Sequence, residues 1–292
     1  MEDMTLVTRD IRKSLKIRPS GRSTDFISPS FGWGCLYDCS YCYMKRHKPE
    51  GLSIATNANQ ILTEINNHSI FAKLETKKPN QTHPKYITYD ISCNEDFALH
   101  CKYHNWQFIF DFFKYNEDIM GSFATKYVNK ELLKYNPNKK IRIRFSMMPE
   151  KKRALHEPNT STILERVQAI DKFKEAGYDV HINFSPILVY EGWLDDYEEL
   201  FALINNNVRY EEGVYAECIF LTHNKNKHYK NLIDHKEKQE IDLWTPSLQE
   251  NKTSQYGGRN VRYKHKLKEQ FIDAFIKEHD NVIPWNKIRY IF

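Results

Sequence analysis

A chain of 292 residues, 40% hydrophobic and 28% charged with a formal net charge of +5, is long enough to bury a core without disulfide staples. Its mixed charges argue against intrinsic disorder, and no run of about 18 apolar residues is present to span a membrane. The polar start from Met1 to Asp10 lacks a secretory signal pattern, so a reducing, cytoplasmic compartment is expected for its six cysteines. Residues 1–23 show no lasting period and are expected to be irregular. Residues 24–31 read as a first strand, with Gly32-Trp33-Gly34 and the cysteines Cys35, Cys39 and Cys42 following as a loop.

Strand and helix signals then alternate. Ile61, Leu62, Ile65, Ile70 and Phe71 mark a helix over 57–74, followed by a strand over 85–91 and an aromatic-rich helix over 104–114. A strand over 121–127 and a short helix over 130–135 come next. Residues 141–146 alternate apolar and polar, the mark of a half-buried strand. Thr162 and Glu165 form a capping-box pair at the head of a helix that Gly177 stops. After it come a strand over 180–188, a helix over 195–204 and a strand over 214–221. Five or more strand–helix units in series favour an α/β fold, a parallel sheet wrapped by helices and closed or partly closed as a barrel. The stretch 24–223 is expected to form this barrel and 224–292 a C-terminal extension. The extension opens with a Lys-, Asn- and His-rich segment, then shows a hairpin signal over 255–263, a helix over 267–278 and a terminal strand over 287–292.

The cysteines divide into a cluster and a remainder. Cys35, Cys39 and Cys42 have the spacing C-x3-C-x2-C. Thiolates are the soft ligands of iron–sulfur clusters, and such a loop can wrap three corners of a [4Fe–4S] cube while leaving the fourth iron open. Zinc is the alternative, with His47 completing a Cys3His site in a non-catalytic, zinc-stabilised nucleic-acid-binding module. Cys101 and Cys218 read as small buried residues. Met147 and Met148 read as core, and Trp193 as a packing corner. In the hairpin, Tyr256, Arg259, Arg262, Tyr263, Lys264 and Lys266 form a basic, aromatic-edged run suited to DNA: cations hold phosphates and an aromatic ring stacks on a base. A solvated basic turn is the plainer reading of the same residues.

The cysteine spacing resembles the signature of the radical S-adenosylmethionine (radical SAM) superfamily. Beyond it the chain resembles one branch, the spore photoproduct lyase family. The resemblance is carried by Ser40-Tyr41-Cys42-Tyr43, by Ile91-Ser92-Cys93-Asn94-Glu95-Asp96, and by Phe123 to Lys126 with Arg144-Phe145-Ser146. It continues through residues 160–197, including Glu175-Ala176-Gly177-Tyr178, Pro186-Ile187 and Glu191-Gly192-Trp193, then through 256–263 and Arg289-Tyr290. It implies a partial (β/α)6 TIM-like barrel with a C-terminal β-hairpin and helix extension. It also implies a [4Fe–4S] cluster on Cys35, Cys39 and Cys42, with S-adenosylmethionine on the open iron and contacted by Lys126 and Ser146. The implied activity is lyase-type repair of damaged DNA, reversing 5-thyminyl-5,6-dihydrothymine to two thymines. A deoxyadenosyl radical takes hydrogen from C6 of the lesion, the methylene bridge breaks by β-scission, Cys93 returns a hydrogen, and Tyr41 and Tyr43 relay the radical. A hairpin near 256–264 would engage the lesion, and a one-electron reductant of flavodoxin or ferredoxin type would serve a monomer. Two features depart from the family pattern: only 34 residues precede Cys35, and the segment near 224–252 does not match. A radical SAM enzyme acting on another lesion or macromolecule is the same-class alternative.

Overall fold

The computed structural model describes residues 6–44, 48, 50–75, 82–253 and 257–292. The chain forms two compact units. One comprises the residues through Leu36, Lys48–Phe145 and Ala169–His181; the other comprises Tyr37–His47, Ser146–Gln168 and Ile182–Phe292.

The first unit begins with β1 (Val7–Asp10), β2 (Arg18–Pro19) and β3 (Phe26–Ile27). β4 (Gly32–Gly34), β5 (Leu52–Ala55) and the helix α1 (Ala58–Glu75) follow. Then come β6 (Ile87–Asp90), α2 (Phe97–His100), α3 (Trp106–Lys114), β7 (Ile119–Thr125) and β8 (Ile141–Met147), whose last two residues belong to the second unit. β3, β6, β7 and β8 are neighbours in that order and parallel, with Phe26 opposite Tyr89, Ile87 opposite Ile119 and Gly121 opposite Ile141. A second small sheet places β5 between β1, to which it is parallel, and β4, to which it is antiparallel.

Three expectations change here. Residues 1–23 are not wholly irregular, because β1 pairs with β5 and β2 with β3. Gly32-Trp33-Gly34 is a strand and not loop punctuation. The alternation in β8 is real, but no face of it meets solvent: all seven residues are buried. Arg142 and Arg144 are only 2% and 4% exposed. Arg142 Nε lies 2.7 Å from Asp179 Oδ2, and Arg144 Nη2 lies 2.7 Å from Asp90 Oδ2. Arg144 Nε also donates to Ser122 Oγ at 3.1 Å. A parallel strand covered on both faces tolerates arginine only where carboxylates and hydroxyls meet it.

The second unit contains α4 (Glu150–His156), most of β9 (Asp179–Ile187) and α6 (Trp193–Asn207), while α5 (Ile163–Glu175) begins in it and ends in the first. The capping box forms as expected: Thr162 N–H donates to Glu165 Oε2 at 2.7 Å and Glu165 N–H to Thr162 Oγ1 at 3.2 Å. Gly177 then stops the helix at φ +92°. β10 (Ala216–Phe220), β11 (Thr222–Asn224), α7 (Lys225–Ile233), α8 (Glu237–Leu243) and β12 (Gln249–Thr253) follow. β13 (Arg259–Tyr263), α9 (His265–Val282) and β14 (Ile288–Ile291) complete the chain. β10 lies between β9 and β14 and is parallel to both. Phe184, Trp193, Tyr197 and Phe201 pack their rings around Phe275 of α9, so Trp193 is the expected packing corner. β13 pairs antiparallel with β11 and β12, Gln249 opposite Tyr263 and Thr253 opposite Arg259. The hairpin therefore has longer arms than the sequence signal suggested, and the segment near 224–252 folds as two helices and two strands. Among the described residues no helix is long and apolar enough to cross a membrane.

Candidate functional site

In the first unit the C-terminal ends of β4, β6 and β7 converge on one loop. β4 runs directly into Cys35, and Gly34 N–H donates to the Asn94 carbonyl at 3.0 Å. Cys93 is half-buried in the turn after β6. Ser92 N–H donates to Asp90 Oδ1 at 2.9 Å, and Asn94 Nδ2 to Ser30 Oγ at 2.8 Å, so both neighbours of Cys93 are pinned. Asp96 caps α2 by accepting from Leu99 N–H and also accepts from Thr125 Oγ1 at 2.6 Å and Lys126 N–H at 2.8 Å. Lys126, half-buried at the end of β7, is thereby tied to the Cys93 turn.

Glu95 anchors the turn from behind. Its Oε2 lies 3.2 Å from His100 Nδ1 and 2.9 Å from His104 Nε2. His100 Nε2 accepts the Leu36 N–H at 3.3 Å, which fixes the proton on Nδ1, facing Glu95. Burial pushes the Glu95 carboxyl up, but His104 and His100 outweigh it and hold it at about 2. A Cβ on Gly32 would stand 2.6 Å from Glu95 Oε2, so only glycine lets β4 pass the carboxylate.

The second unit holds Cys39, Cys42 and both tyrosines. Cys39 is buried, Cys42 half-buried, and Tyr43 is 45% exposed. The Tyr41 hydroxyl donates to Glu157. Burial, then the charge of Glu157, raises the Tyr41 phenol well above its ordinary value. Glu157 Oε2 in turn lies 2.8 Å from Arg166 Nη2, and Arg166 Nη1 donates to the Ser146 carbonyl at 2.7 Å. One chain of contacts thus joins Tyr41 to Ser146, which is 1% exposed and accepts from Asn183 Nδ2 at 3.4 Å. Ser40 is fastened three ways. Its Oγ lies 2.8 Å from His156 Nδ1, whose Nε2 faces Asp242 Oδ2 at 2.9 Å. Its N–H donates to the His156 carbonyl at 2.9 Å, and its own carbonyl accepts from Asn231 Nδ2 at 2.8 Å. Asn231 also donates to Glu240, around which His223 and His228 gather.

Among the expected DNA contacts, Tyr263 is corrected. It is 1% exposed, packs against Phe220 and Phe271, and its hydroxyl accepts from Val189 N–H at 2.9 Å. A ring so enclosed has no face to offer a base. Arg259 and Lys264 are exposed, Lys264 donating to the Ser247 carbonyl, while Arg262 pairs with Glu250 at 2.9 Å. Tyr256 lies outside the described residues, as does His47, the fourth ligand of the zinc alternative. Cys101 is buried beside Asn129, and burial pushes its thiol up to about 11; Cys218 is likewise buried and raised. Met147 and Met148 are core, as read.

The residues present fit an iron–sulfur cluster. All six cysteines are described and none is in a disulfide, which leaves three thiol donors within one loop. Lys227 Nζ is 1% exposed, 4.0 Å from Asp38 Oδ1, and without a hydrogen-bond partner among the described residues. Burial lowers its pKa, and Asp38, then Cys42, oppose that shift. The negative charge of thiolate-bound iron would offset such a buried ammonium. Sequence reading missed Glu95, Glu157, Arg166 and Lys227 as site-building residues. Glu95 stood inside a quoted motif, but nothing local marks the other three.

The family model for spore photoproduct lyase matches residues 2–292. The spore photoproduct lyase of Bacillus subtilis (strain 168) is 28% identical over 293 residues, covering 96% of this chain and 80% of that protein. That of Geobacillus sp. (strain Y412MC61) is 28% identical over 286 residues with the same coverage. A solved double mutant of spore photoproduct lyase with bound AdoMet and dinucleoside spore photoproduct superposes with a TM-score of 0.83 at 20% identity, covering 98% of this chain and 82% of that one. A further structure, complexed with dinucleoside spore photoproduct, gives 0.81 at 22% identity with the same coverage. The fold is therefore the expected α/β partial barrel with its hairpin and helix extension.

Proposed function

The chain belongs to the spore photoproduct lyase family, and we propose that it repairs DNA by reversing 5-thyminyl-5,6-dihydrothymine to two thymines, with Cys93 returning the hydrogen. It is a radical SAM lyase using a [4Fe–4S] cluster and S-adenosylmethionine. The observation that carries the residue assignment is the pinned turn: Cys93 stands between two hydrogen-bonded neighbours, tied on one side to β4 and on the other to Lys126.

Cys35, Cys39 and Cys42 would hold the cluster, and Lys126 and Ser146 would bind the S-adenosylmethionine. When bound, these groups supply the radical that removes a hydrogen atom from C6 of the lesion. After β-scission of the methylene bridge, the Cys93 S–H bond breaks homolytically and its hydrogen atom passes to the thymine radical, leaving a thiyl radical on Sγ. A tyrosine hydroxyl restores the thiol by giving up a hydrogen atom. Tyr41 serves in that relay with its hydroxyl held in place by Glu157, and the tyrosyl radical would regain its hydrogen atom from 5′-deoxyadenosine. Tyr43, more exposed, serves as the second member of the pair. Arg259, Arg262 and Lys264 of the β12–β13 hairpin hold DNA phosphates. The enzyme works as a cytoplasmic monomer supplied by a flavodoxin- or ferredoxin-type reductant.

Anaerobic incubation with S-adenosylmethionine, dithionite and a lesion-bearing dinucleotide tests the reading. Two thymines should be recovered, and Cys93→Ala should lose that clean product. Formation of 5′-deoxyadenosine without thymine recovery would overturn the substrate assignment.

A further inference from the structure

Arg12 follows β1, and one side chain holds both of its backbone groups. Its N–H donates to Asn57 Oδ1 at 2.8 Å, and its carbonyl accepts from Asn57 Nδ2 at 3.2 Å. Asn57 is fixed in turn, because its own carbonyl accepts from Gln60 and Ile61 N–H at the start of α1. The Arg12 guanidinium lies 5.3 Å from the centroid of the Trp33 ring. Trp33 precedes Gly34, whose N–H is bonded to Asn94, the residue after Cys93. Clamp and ring together set a guanidinium beside the Cys93 turn.

That guanidinium is incompletely satisfied. Its Nε is buried and has no hydrogen-bond partner among the described residues. Burial, then the charge of Arg18, lowers the Arg12 pKa, with Cys93 opposing them. A guanidinium with a buried, unpartnered Nε is stabilised by an oxyanion, and guanidinium is matched to phosphate by geometry as well as charge.

We propose that Arg12 binds the phosphate bridging the two nucleosides of the lesion and so sets the lesion against the Cys93 thiol. The proposal rests on the spore photoproduct reading. The lesion carries one anion of its own, this phosphate; the flanking DNA phosphates fall to the hairpin, and the remaining candidate is the carboxylate of S-adenosylmethionine. Cys93 delivers hydrogen to the lesion, which makes the phosphate the anion that lies beside it.

The test compares the phosphodiester-bridged lesion with the dinucleoside lesion lacking the phosphate. Arg12→Ala should raise KM for the bridged substrate about tenfold or more, the loss of a charge-assisted contact, and leave KM for the unbridged one unchanged. Arg12→Gln keeps the stem over Trp33 and should lose the same discrimination, while Arg12→Lys should recover part of it. Equal losses on both substrates would reduce Arg12 to a structural residue and overturn the proposal. A rise in KM for S-adenosylmethionine alone would assign the site to the cofactor carboxylate and overturn it equally. Wild-type protein that repairs neither substrate would sink the reaction assignment itself, a result no Arg12 variant can produce.

Discussion

Each unit buries one glutamate between two imidazoles, and the two clusters fasten different points of the cysteine loop. Glu95 reaches Leu36 through His100; Glu240 reaches Ser40 through Asn231. Their internal arrangement differs. Glu95 takes both imidazoles on Oε2, while Oε1 is buried with no partner among the described residues. Glu240 spreads its contacts: His223 Nε2 lies 3.2 Å from each oxygen, His228 Nδ1 lies 2.5 Å from Oε2, and Asn231 holds Oε1. A carboxylate with one working oxygen depends on every donor it has, whereas one with four contacts can lose a donor and stay satisfied. The Cys93 turn therefore hangs on the less redundant cluster.

Glu95→Ala should show this most strongly. Removing one partner of a buried charge network costs about 3–5 kcal/mol, and here two imidazoles are stranded together. Urea unfolding of anaerobically purified protein measures the loss, and a change below about 1 kcal/mol would break the comparison. Acid should weaken both clusters, because each glutamate is held below its ordinary value. The folded Glu95 carboxyl is held at about 2, below its ordinary 4.5, so its stabilisation is complete above pH 4.5 and fades as pH falls toward 2. Wild-type protein should lose stability through that window, and Glu95→Gln should remove that component of the loss.

Gly32→Ala comes next, at about 1–3 kcal/mol, because its methyl group must displace a buried carboxylate and not a flexible chain end. Glu240→Gln should cost less, about 1–2 kcal/mol, since an amide oxygen still accepts from some of the same donors. Denaturant midpoints of the two variants measured side by side check the order. A larger loss at Glu240 would reverse which cluster is called redundant.

The Glu240 cluster was not legible in the sequence, and the reason is separation; Glu95, His100 and His104 lie within ten residues, but no regular spacing marks them as a cluster. The cysteine spacing and the Thr162–Glu165 box are decided within a few residues, so pattern alone found them. His223 and Glu240 stand 17 residues apart, and Asn231 meets Ser40 across 191, distances over which no local period speaks. The same limit hid Asp179 and Asp90, the partners that let Arg142 and Arg144 be buried. Tyr263 is a different case. Its alternation with Arg262 and its phase with Val261 mark the inward face of β13, and its neighbours Arg262 and Lys264 fall on the outward side. The partial barrel itself was readable because strand–helix alternation repeats along the chain.

The smallest effect lies at the rim of the second cluster. The His228 ring stacks on Trp244 with centroids 4.1 Å apart and planes 13° from parallel, while Glu240 holds its Nδ1. The stack orients a ring that is already hydrogen-bonded, so it refines the cluster and does not create it. Trp244→Leu keeps apolar bulk and removes the aromatic face, for an expected loss of about 0.5–1.5 kcal/mol. If His228 is one donor among three, that loss should stay below the loss at Glu240→Gln, and unfolding should remain a single transition. A Trp244→Leu loss equal to Glu240→Gln would mean that the stack, by placing His228, carries the whole cluster. The contrast with Glu95 would then rest on packing around the imidazoles and no longer on how many donors each carboxylate has.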